Sequence, residues 1–265
     1  MPNARWLRPD SARPPRWWQE LGFIAAVYGL YTLIRNAVPG HEVAARHRAH
    51  SIIHIESWLH IDIEHTLNRF VATTQIDHVH WLAYVSDYYY ATLHFVVTIA
   101  VLVWLYRWHP LRYRSIRSVL IITNLGALVG FWLFSLAPPR MLPNFVDTIV
   151  QFHTWGSWAS PGVDSASNQF AAMPSLHIAW SLWCAIAIVK LAKRRWVRVL
   201  GALYPAATLF VILGTANHFV LDAVGGVAAL GVGILGQRLL PGRPAYARRD
   251  LPVHEAVADP EPVAA

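Results

Sequence analysis

Two stretches of the sequence decide the fold: Met173-Pro174-Ser175-Leu176-His177 and Asn217-His218-Phe219-Val220-Leu221-Asp222. Each stands where a polar segment turns into a long apolar one, so each predicts the start of a membrane helix. In the first, Pro174 suits the opening turn of a helix, whose free backbone N–H groups favour an anion. In the second, His218 and Asp222 are four residues apart, a spacing that a helix places on one face. A carboxylate there can hold one ring nitrogen and leave the other free to attack.

The composition indicates an integral membrane protein. Only 14% of the 265 residues are charged, against about 25% in soluble domains. Hydrophobic residues make up 55% of the chain and gather in blocks of about 20, the length that crosses a hydrocarbon core. The formal charge of +7 could suggest nucleic-acid binding. The basic residues flank the apolar blocks and form no face of their own, so we expect no nucleic-acid partner.

The apolar blocks predict an all-α integral membrane protein with six transmembrane helices plus an interfacial amphipathic helix. The spans are expected at about residues 17–38, 79–106, 116–136, 174–191, 197–215 and 219–240. Residues 41–70 repeat apolar residues at helical spacing without enough hydrophobicity to span, which is typical of an interfacial helix. We expect a disordered basic arm over 1–16, a six-span catalytic domain over 17–240 and a disordered cytoplasmic tail over 241–265.

The basic residues predict the orientation. With the N-terminus in the cytoplasm, 17 of the 22 Lys and Arg residues fall on the inner side, which is a strong positive-inside bias. The residues that fall on the outer side are Arg35, Arg46, Arg48, Arg69 and Arg140. Both termini are then cytoplasmic, and the fourth and sixth spans begin on the extracytoplasmic side. We expect the membrane to be a bacterial plasma membrane.

Arg140 reaches the same outer face as the two histidine stretches, because Ala137-Pro138-Pro139-Arg140-Met141 ends the third span. The planar guanidinium can donate two hydrogen bonds to two oxygens of a phosphate. The alternative is an arginine that meets lipid headgroups at a helix end. An anion site beside an oriented histidine indicates phosphoryl transfer, with the reactive groups on one face of the membrane.

These motifs resemble the type-2 phosphatidic acid phosphatase superfamily, whose members are six-span membrane enzymes. The resemblance is carried by Pro174-Ser175-x-His177 followed by His218-x-x-x-Asp222. The Ala-Pro-Pro-Arg segment and the fuller stretches quoted above are closer still to one branch, the inositol phosphorylceramide synthase-like phosphotransferases. The resemblance covers about residues 17–240.

The resemblance implies a role for each matched residue. His218 would be the nucleophile that forms a phosphohistidine, Asp222 would orient it, and His177 would protonate the leaving group. Arg140 and Ser175 would hold phosphate oxygens. We expect no metal and no other cofactor, because Arg140 and backbone dipoles would supply the positive charge.

The sequence departs from the superfamily's pattern at two cations. The places of a lysine and of a second arginine hold Leu133 and Ile212, and Arg140 precedes Met141 instead of proline. A phosphodiester carries one negative charge and needs less countercharge than a phosphomonoester. We therefore expect transfer of a lipid-linked phosphodiester to a lipid or polyol acceptor, or hydrolysis when water takes the acceptor's place. The alternatives are a lipid phosphate or polyprenyl pyrophosphate phosphatase and, in another class, a non-catalytic transporter or scaffold.

Further polar residues are candidates for the substrate site. Asn217 adjoins the nucleophile, and Asp87 and His94 share one face of the second span, where polar groups are expensive. A buried hydrogen-bonded pair is the alternative for Asp87 and His94. Polar loop residues could contact a polyol headgroup or could simply be solvated; they are Asp147, Asp164, Asn168 and Gln169.

Overall fold

The computed structural model describes residues 15–37, 42–154, 169–240 and 245–246. Within these ranges the chain forms ten α-helices, one π-helical segment and one 3-10 turn. The helices are α1 (Trp17–Ala37), α2 (Glu42–Trp58), α3 (Glu64–Thr73), α4 (Trp81–Tyr88), α5 (His94–Trp108), α6 (Pro110–Leu133), α7 (Thr148–Gln151), α8 (Leu176–Leu191), α9 (Arg195–Gly214) and α10 (Val220–Leu239). The π-helical segment Tyr89–Leu93 joins α4 to α5, and Pro139–Met141 forms the 3-10 turn. Nearly all of the predicted arm and tail, together with Asp164 and Asn168, lie outside the described residues.

Four helical segments are long and apolar enough to cross a membrane: Trp81–Trp108, Pro110–Leu133, Arg195–Gly214 and Val220–Leu239. Helix α1 meets these criteria only together with α2, to which it is bent by 96°. Helix α8 is apolar but has 16 residues, which makes it about 24 Å long against a hydrocarbon core of about 30 Å. The structure therefore supports an all-helical membrane protein with four or five spans, and the predicted count of six is not confirmed.

Helix α8 is the centre of the bundle. It packs against α5, α6, α9 and α10, and Ala179, Trp183, Cys184 and Ala187 on it are fully buried. The indole N–H of Trp183 donates to the Ile116 carbonyl at 2.8 Å, which ties α8 to α6. Because protein surrounds α8 on these sides, the length of α8 does not need to match the thickness of the bilayer's hydrocarbon core.

Close helix packing depends on a glycine in α10. A Cβ atom at Gly233 would lie 2.1 Å from Thr123 Oγ1 and 2.8 Å from the Val119 carbonyl oxygen of α6. Small residues of this kind let helices approach closely. Membrane helices associate through such packing, because the surrounding lipid tails are as apolar as the side chains. The outward faces remain apolar, with Val103, Leu203 and Leu235 each more than half exposed.

The direction of the helices brings the sequence motifs to one end of the bundle. Helix α6 ends at Leu133, and α8 and α10 begin at Leu176 and Val220. Helix α10 packs against both α6 and α8. The segments just outside these three helix ends therefore lie together, although they are far apart in the sequence.

Candidate active site

A cavity of about 120 Å³ lies where α6 ends and α8 and α10 begin. Its polar wall residues come from five separate parts of the chain. They include Tyr28, Tyr31, Arg35, Tyr90, His94, Arg140, Gln169, His177, Asn217 and His218. The structure thus brings together five of the eight predicted site residues, namely His94, Arg140, His177, Asn217 and His218.

His218 and Asp222 are in contact, but not through the helical stacking that the sequence predicts. Helix α10 begins at Val220 with Phe219 as its N-cap, so His218 lies before the helix. Asp222 folds back over the helix start, where Oδ2 accepts from the Phe219 N–H at 2.9 Å and lies 3.3 Å from His218 Nδ1. The same carboxylate therefore caps α10 and contacts the imidazole. His218 is 5% exposed and Asp222 is fully buried.

His177, in the first turn of α8, lies between three aromatic rings. Its ring centroid is 5.5 Å from that of His218, and Tyr90 stacks on it at 4.4 Å with an interplanar angle of 23°. His94 meets it edge-on at 4.4 Å. Tyr90 belongs to the π-helical segment and His94 follows it directly. Single π-helical turns are rare overall, but those that occur are often found at functional sites. This one places Tyr90 and the following His94 next to His177.

Arg140 is held by several hydrogen bonds. Its Nε donates to Asn217 Oδ1 at 2.9 Å, and its Nη2 donates to Gln169 Oε1 at 3.2 Å. Nη1 lies 3.5 Å from Asp147 Oδ2. The backbone N–H of Arg140 donates to the Ala216 carbonyl at 2.8 Å, which fixes it next to the His218 turn. The guanidinium is oriented before any ligand binds, and Asp147 offsets part of its charge.

Two predicted substrate-binding residues occupy other environments. Ser175 is the N-cap of α8, so Pro174 precedes the helix instead of opening it. Ser175 is fully buried, its N–H donates to the Asp222 carbonyl at 2.9 Å, and its Oγ has no partner among the described residues. The contact between Ser175 and a phosphate therefore stays a prediction. The carboxylate of Asp87 accepts from Thr148 and Thr154 at 2.7 and 2.9 Å, so it anchors the loop around α7 and does not line the cavity.

Two glutamates that the sequence does not single out support the start of α10. Glu64 Oε1 accepts from the Val220 N–H, and Glu56 Oε1 accepts from the Leu221 N–H, both at 2.6 Å. Both glutamates are buried. The first N–H groups of a helix lack partners within it, and carboxylates there are also favoured by the helix dipole. The turn that carries His218 is therefore fixed from α2 and α3.

Helix α1 supplies another part of the cavity wall. Tyr28, Tyr31 and Arg35 line it at a spacing of three and four residues, which places them on one face of the helix. None of the three is among the residues predicted for the site. The sequence does contain a signal for Arg35. This arginine lies at the end of a predicted span, on the side of the membrane where the positive-inside bias predicts few basic residues.

Comparison with known proteins identifies the family. The family model described as the PAP2 superfamily matches residues 50–236, about 70% of the chain. The chain belongs to the PAP2 superfamily. Searches of curated proteins and of solved structures found no match. Membership indicates a phosphatase or phosphotransferase that acts on lipid-type phosphates, and it does not distinguish the inositol phosphorylceramide synthase-like branch from the others.

The two positions at which the resemblance implies a missing cation lie away from the cavity. Leu133, in place of the lysine, is 75% exposed on the outward side of α6, where lipid would surround it. Ile212, in place of the second arginine, is 1% exposed and packs in an apolar cluster with Ile178 and Leu213. Neither position faces the cavity. The matched range contains Arg140, His177, His218 and Asp222 but not helix α1.

Proposed function

We propose that the protein is a membrane-embedded lipid phosphotransferase that acts on a phosphodiester through a phosphohistidine intermediate at the extracytoplasmic face. The single observation that carries this proposal is the shared cavity, in which His177, His218 and Arg140 surround one volume of about 120 Å³. An acid–base group, a nucleophile and an anion-binding group within reach of one phosphorus atom are the requirements of double displacement.

The first half-reaction uses both histidines. Nδ1 of His218 donates to Asp222 and leaves the lone pair of Nε2 to attack phosphorus. The P–O bond to the lipid alcohol breaks, and His177 gives its proton to the departing oxygen. Arg140 holds the non-bridging oxygens, whose charge it stabilises in the transition state. The headgroup phosphoryl is then bonded to His218.

The second half-reaction reverses these roles. His177, now neutral, accepts the proton of an acceptor hydroxyl as that oxygen attacks phosphorus, and the P–N bond to His218 breaks. Water in place of the acceptor would give hydrolysis. The Gln169 amide lines the cavity, and its N–H groups can hydrogen-bond to hydroxyl groups, which supports a polyol or a hydroxylated lipid as the acceptor.

The charges near the cavity support a diester. Arg140, which lines the cavity, is paired with Asp147, which offsets part of its positive charge. A singly charged phosphodiester needs less compensation than a doubly charged phosphomonoester. The side of the membrane is inferred from the basic residues, which concentrate at the opposite helix ends.

The second candidate is hydrolysis of a lipid phosphate or a polyprenyl pyrophosphate, which membership of the PAP2 superfamily supports equally well. Purified protein incubated with phosphorus-labelled phosphatidylinositol or phosphatidic acid, with and without a polyol acceptor, separates the two by thin-layer chromatography. We expect cleavage of the diester, a new labelled product with the acceptor, and acid-labile label on the protein that is lost in His218→Gln. Rapid cleavage of phosphatidic acid without cleavage of any diester would establish the phosphatase instead.

A further inference from the structure

We propose that the cavity also binds the upper part of a lipid hydrocarbon chain, which enters it sideways between α1 and the segment where the π-helical turn meets α5. We call this opening the side slot; the residues that line the cavity there are Tyr28, Tyr31, Ala91 and Phe95. The inference rests on the proposed function, because the chain would belong to the phosphodiester donor. It also gives a role to α1, which lies outside the range matched by the PAP2 family model.

The cavity has a polar end and an aromatic end. Arg140, Asn217 and His218 line the polar end, in the segments outside the bundle helices. Tyr28 lines the other end from α1, nine residues before that helix ends at Ala37. At a rise of about 1.5 Å per residue, the aromatic end reaches about 13 Å below the outer end of α1. A phosphate at His218 would therefore leave this end to the chain attached to it.

The aromatic end presents apolar surface. Phe95, Phe131 and Trp180 line it together with Tyr28. The rings of Phe95 and Trp180 meet edge-on, with centroids 5.7 Å apart. Hydrocarbon gains free energy when it leaves water or replaces it at such a surface, whereas a headgroup without chains would leave the surface unused. The lining therefore fits a lipid better than a small water-soluble phosphate.

Two of the residues that line the cavity are also accessible from outside the bundle. Tyr28 is 42% exposed and Ala91 is partly exposed. In contrast, Phe131 and Trp180, which line the same cavity from α6 and α8, are buried. The cavity wall is therefore open at the side slot and closed by protein at α6 and α8.

Contacts between α1 and α5 limit the slot on its inner side. Tyr28 meets Phe95 edge-on, with ring centroids 6.4 Å apart. Further inward, the Tyr106 hydroxyl donates to the Pro15 carbonyl at 2.6 Å. The slot is therefore confined to the outer half of these helices, which the outer leaflet would surround under the predicted orientation.

The outward faces beside the slot are apolar. Leu30 and Leu33 of α1 and Val96 of α5 are each more than half exposed. Such faces are expected where lipid tails surround a helix, since the tails are as apolar as these side chains. A chain can therefore pass from the bilayer to the aromatic end of the cavity without crossing water.

Ala91 is the small residue at the slot. Tyr90 stacks on His177 and His94 meets the same ring edge-on, while Ala91 between them lines the cavity with one methyl group. A larger side chain at position 91 would fill the slot without replacing a group that contacts His177. This position therefore suits a substitution that blocks the chain.

The test is photolabelling, which does not depend on turnover. Purified protein is irradiated with a phosphatidylinositol analogue that carries a diazirine on the upper part of one chain, and mass spectrometry locates the labelled residues. Ala91→Phe and Ala91→Leu fill the slot by different amounts. Val96→Phe is the matched control, because Val96 lies on the same helical segment and outside the cavity wall. Gel filtration and a thermal melt check that each variant is folded.

We expect label on Phe131 and Trp180, the buried residues that a chain would meet inside the cavity. Ala91→Phe should reduce this label about tenfold or more, the effect of keeping two or more methylene groups out of an apolar site. Ala91→Leu should reduce it less, and Val96→Phe should match the wild type. In Ala91→Phe, the ratio of kcat/KM for long-chain phosphatidylinositol to that for glycerophosphoinositol, which has no chains, should fall by a similar factor.

The possible failures are distinguishable. If Phe131 and Trp180 take no label, the chain site is wrong and the proposed function stands. If they are labelled equally in Ala91→Phe and the wild type, the chain enters elsewhere and the side slot is wrong. If they are labelled but the wild type cleaves neither donor, the proposed function is wrong and the chain site stands. If Ala91→Phe does not fold, Ala91→Leu decides by the same comparison.

Discussion

Gly226 of α10 lies directly against the backbone carbonyl of Ser175 at the start of α8. A Cβ atom at position 226 would lie 2.3 Å from the Ser175 oxygen and 3.2 Å from Ile178 Cβ. The Ser175 N–H also donates to the Asp222 carbonyl at 2.9 Å. The start of α8, which carries His177, is therefore held against the start of α10, which follows His218. A backbone hydrogen bond and a close approach that only glycine permits hold them together.

This contact predicts opposite effects for two glycines of α10. Gly226→Ala should destabilise the protein by about 1–3 kcal/mol, the usual cost of overpacking, and should lower kcat by separating His177 from His218. Gly231→Ala is the matched control, because a Cβ atom there meets nothing within 4 Å. It should be neutral or stabilising, since alanine is favoured over glycine in a helix. Thermal melts in detergent compare the two, and equal stability would contradict the close contact.

Asp222 caps α10 and also contacts His218, so a substitution can remove one of these functions and keep the other. Asp222→Asn keeps an oxygen that can accept from the Phe219 N–H, so the melting temperature should stay near that of the wild type. Loss of the charge should lower kcat by about 10²–10⁴, because a neutral amide stabilises the positive charge on the attacking imidazole less than a carboxylate does. Asp222→Ala should in addition lose about 1 kcal/mol of helix capping. A wild-type kcat for Asp222→Asn would exclude this role of the charge.

The hydrogen bonds of Arg140 predict that lysine cannot replace it. Arg140→Lys loses the Nε contact with Asn217 and the planar fork, and kcat/KM should fall about 10²–10³. Asn217→Ala should cause a smaller loss, since it removes one of the groups that hold the guanidinium. Arg69→Lys on the exposed face of α3 is the control. Steady-state kinetics with the identified donor provide the measurement, and equal kcat/KM for Arg140→Lys and Arg69→Lys would refute this assignment.

The stack of Tyr90 on His177 predicts that the ring matters and the hydroxyl does not. Tyr90→Phe preserves the ring and should retain most of the activity. Tyr90→Leu removes a contact of a kind worth about 0.5–1.5 kcal/mol and should lower kcat several-fold by releasing His177. If Tyr90→Phe is as impaired as Tyr90→Leu, the hydroxyl has a role that the stacking does not explain.

The capping of α10 by glutamates predicts a stability effect far from the sequence motifs. Glu64→Ala leaves the part-buried Val220 N–H without its acceptor and should cost about 1–3 kcal/mol. Glu64→Gln retains an acceptor oxygen and should cost less. Glu42→Ala, which breaks an exposed ion pair with Arg46, should change the stability little. Chemical unfolding monitored by tryptophan fluorescence ranks the three, and a Glu42→Ala effect as large as that of Glu64→Ala would contradict this account.

The sequence predicted the helical character of the chain and most of the helix boundaries within a few residues. Helix α9, for example, was expected at 197–215 and spans Arg195–Gly214. It also predicted that Arg140, His177 and His218 lie at the same end of their helices. These predictions succeed because hydrophobic length and loop position are local properties of the sequence. The number of spans was less predictable, because an apolar helix such as α8 can be buried by protein as well as by lipid.

Contacts between distant parts of the chain were decided only by the tertiary structure. Spacing alone placed Asp87 in the site, yet its carboxylate faces Thr148 and Thr154. Spacing also gave the correct His218–Asp222 pair for the wrong reason, since Asp222 reaches His218 as a helix cap. Arg35 and His218 are 183 residues apart and share a cavity only because α1 packs on α6. A sequence fixes what each residue can do, but the packing of whole helices decides which residues meet, because that packing depends on side chains along their entire length.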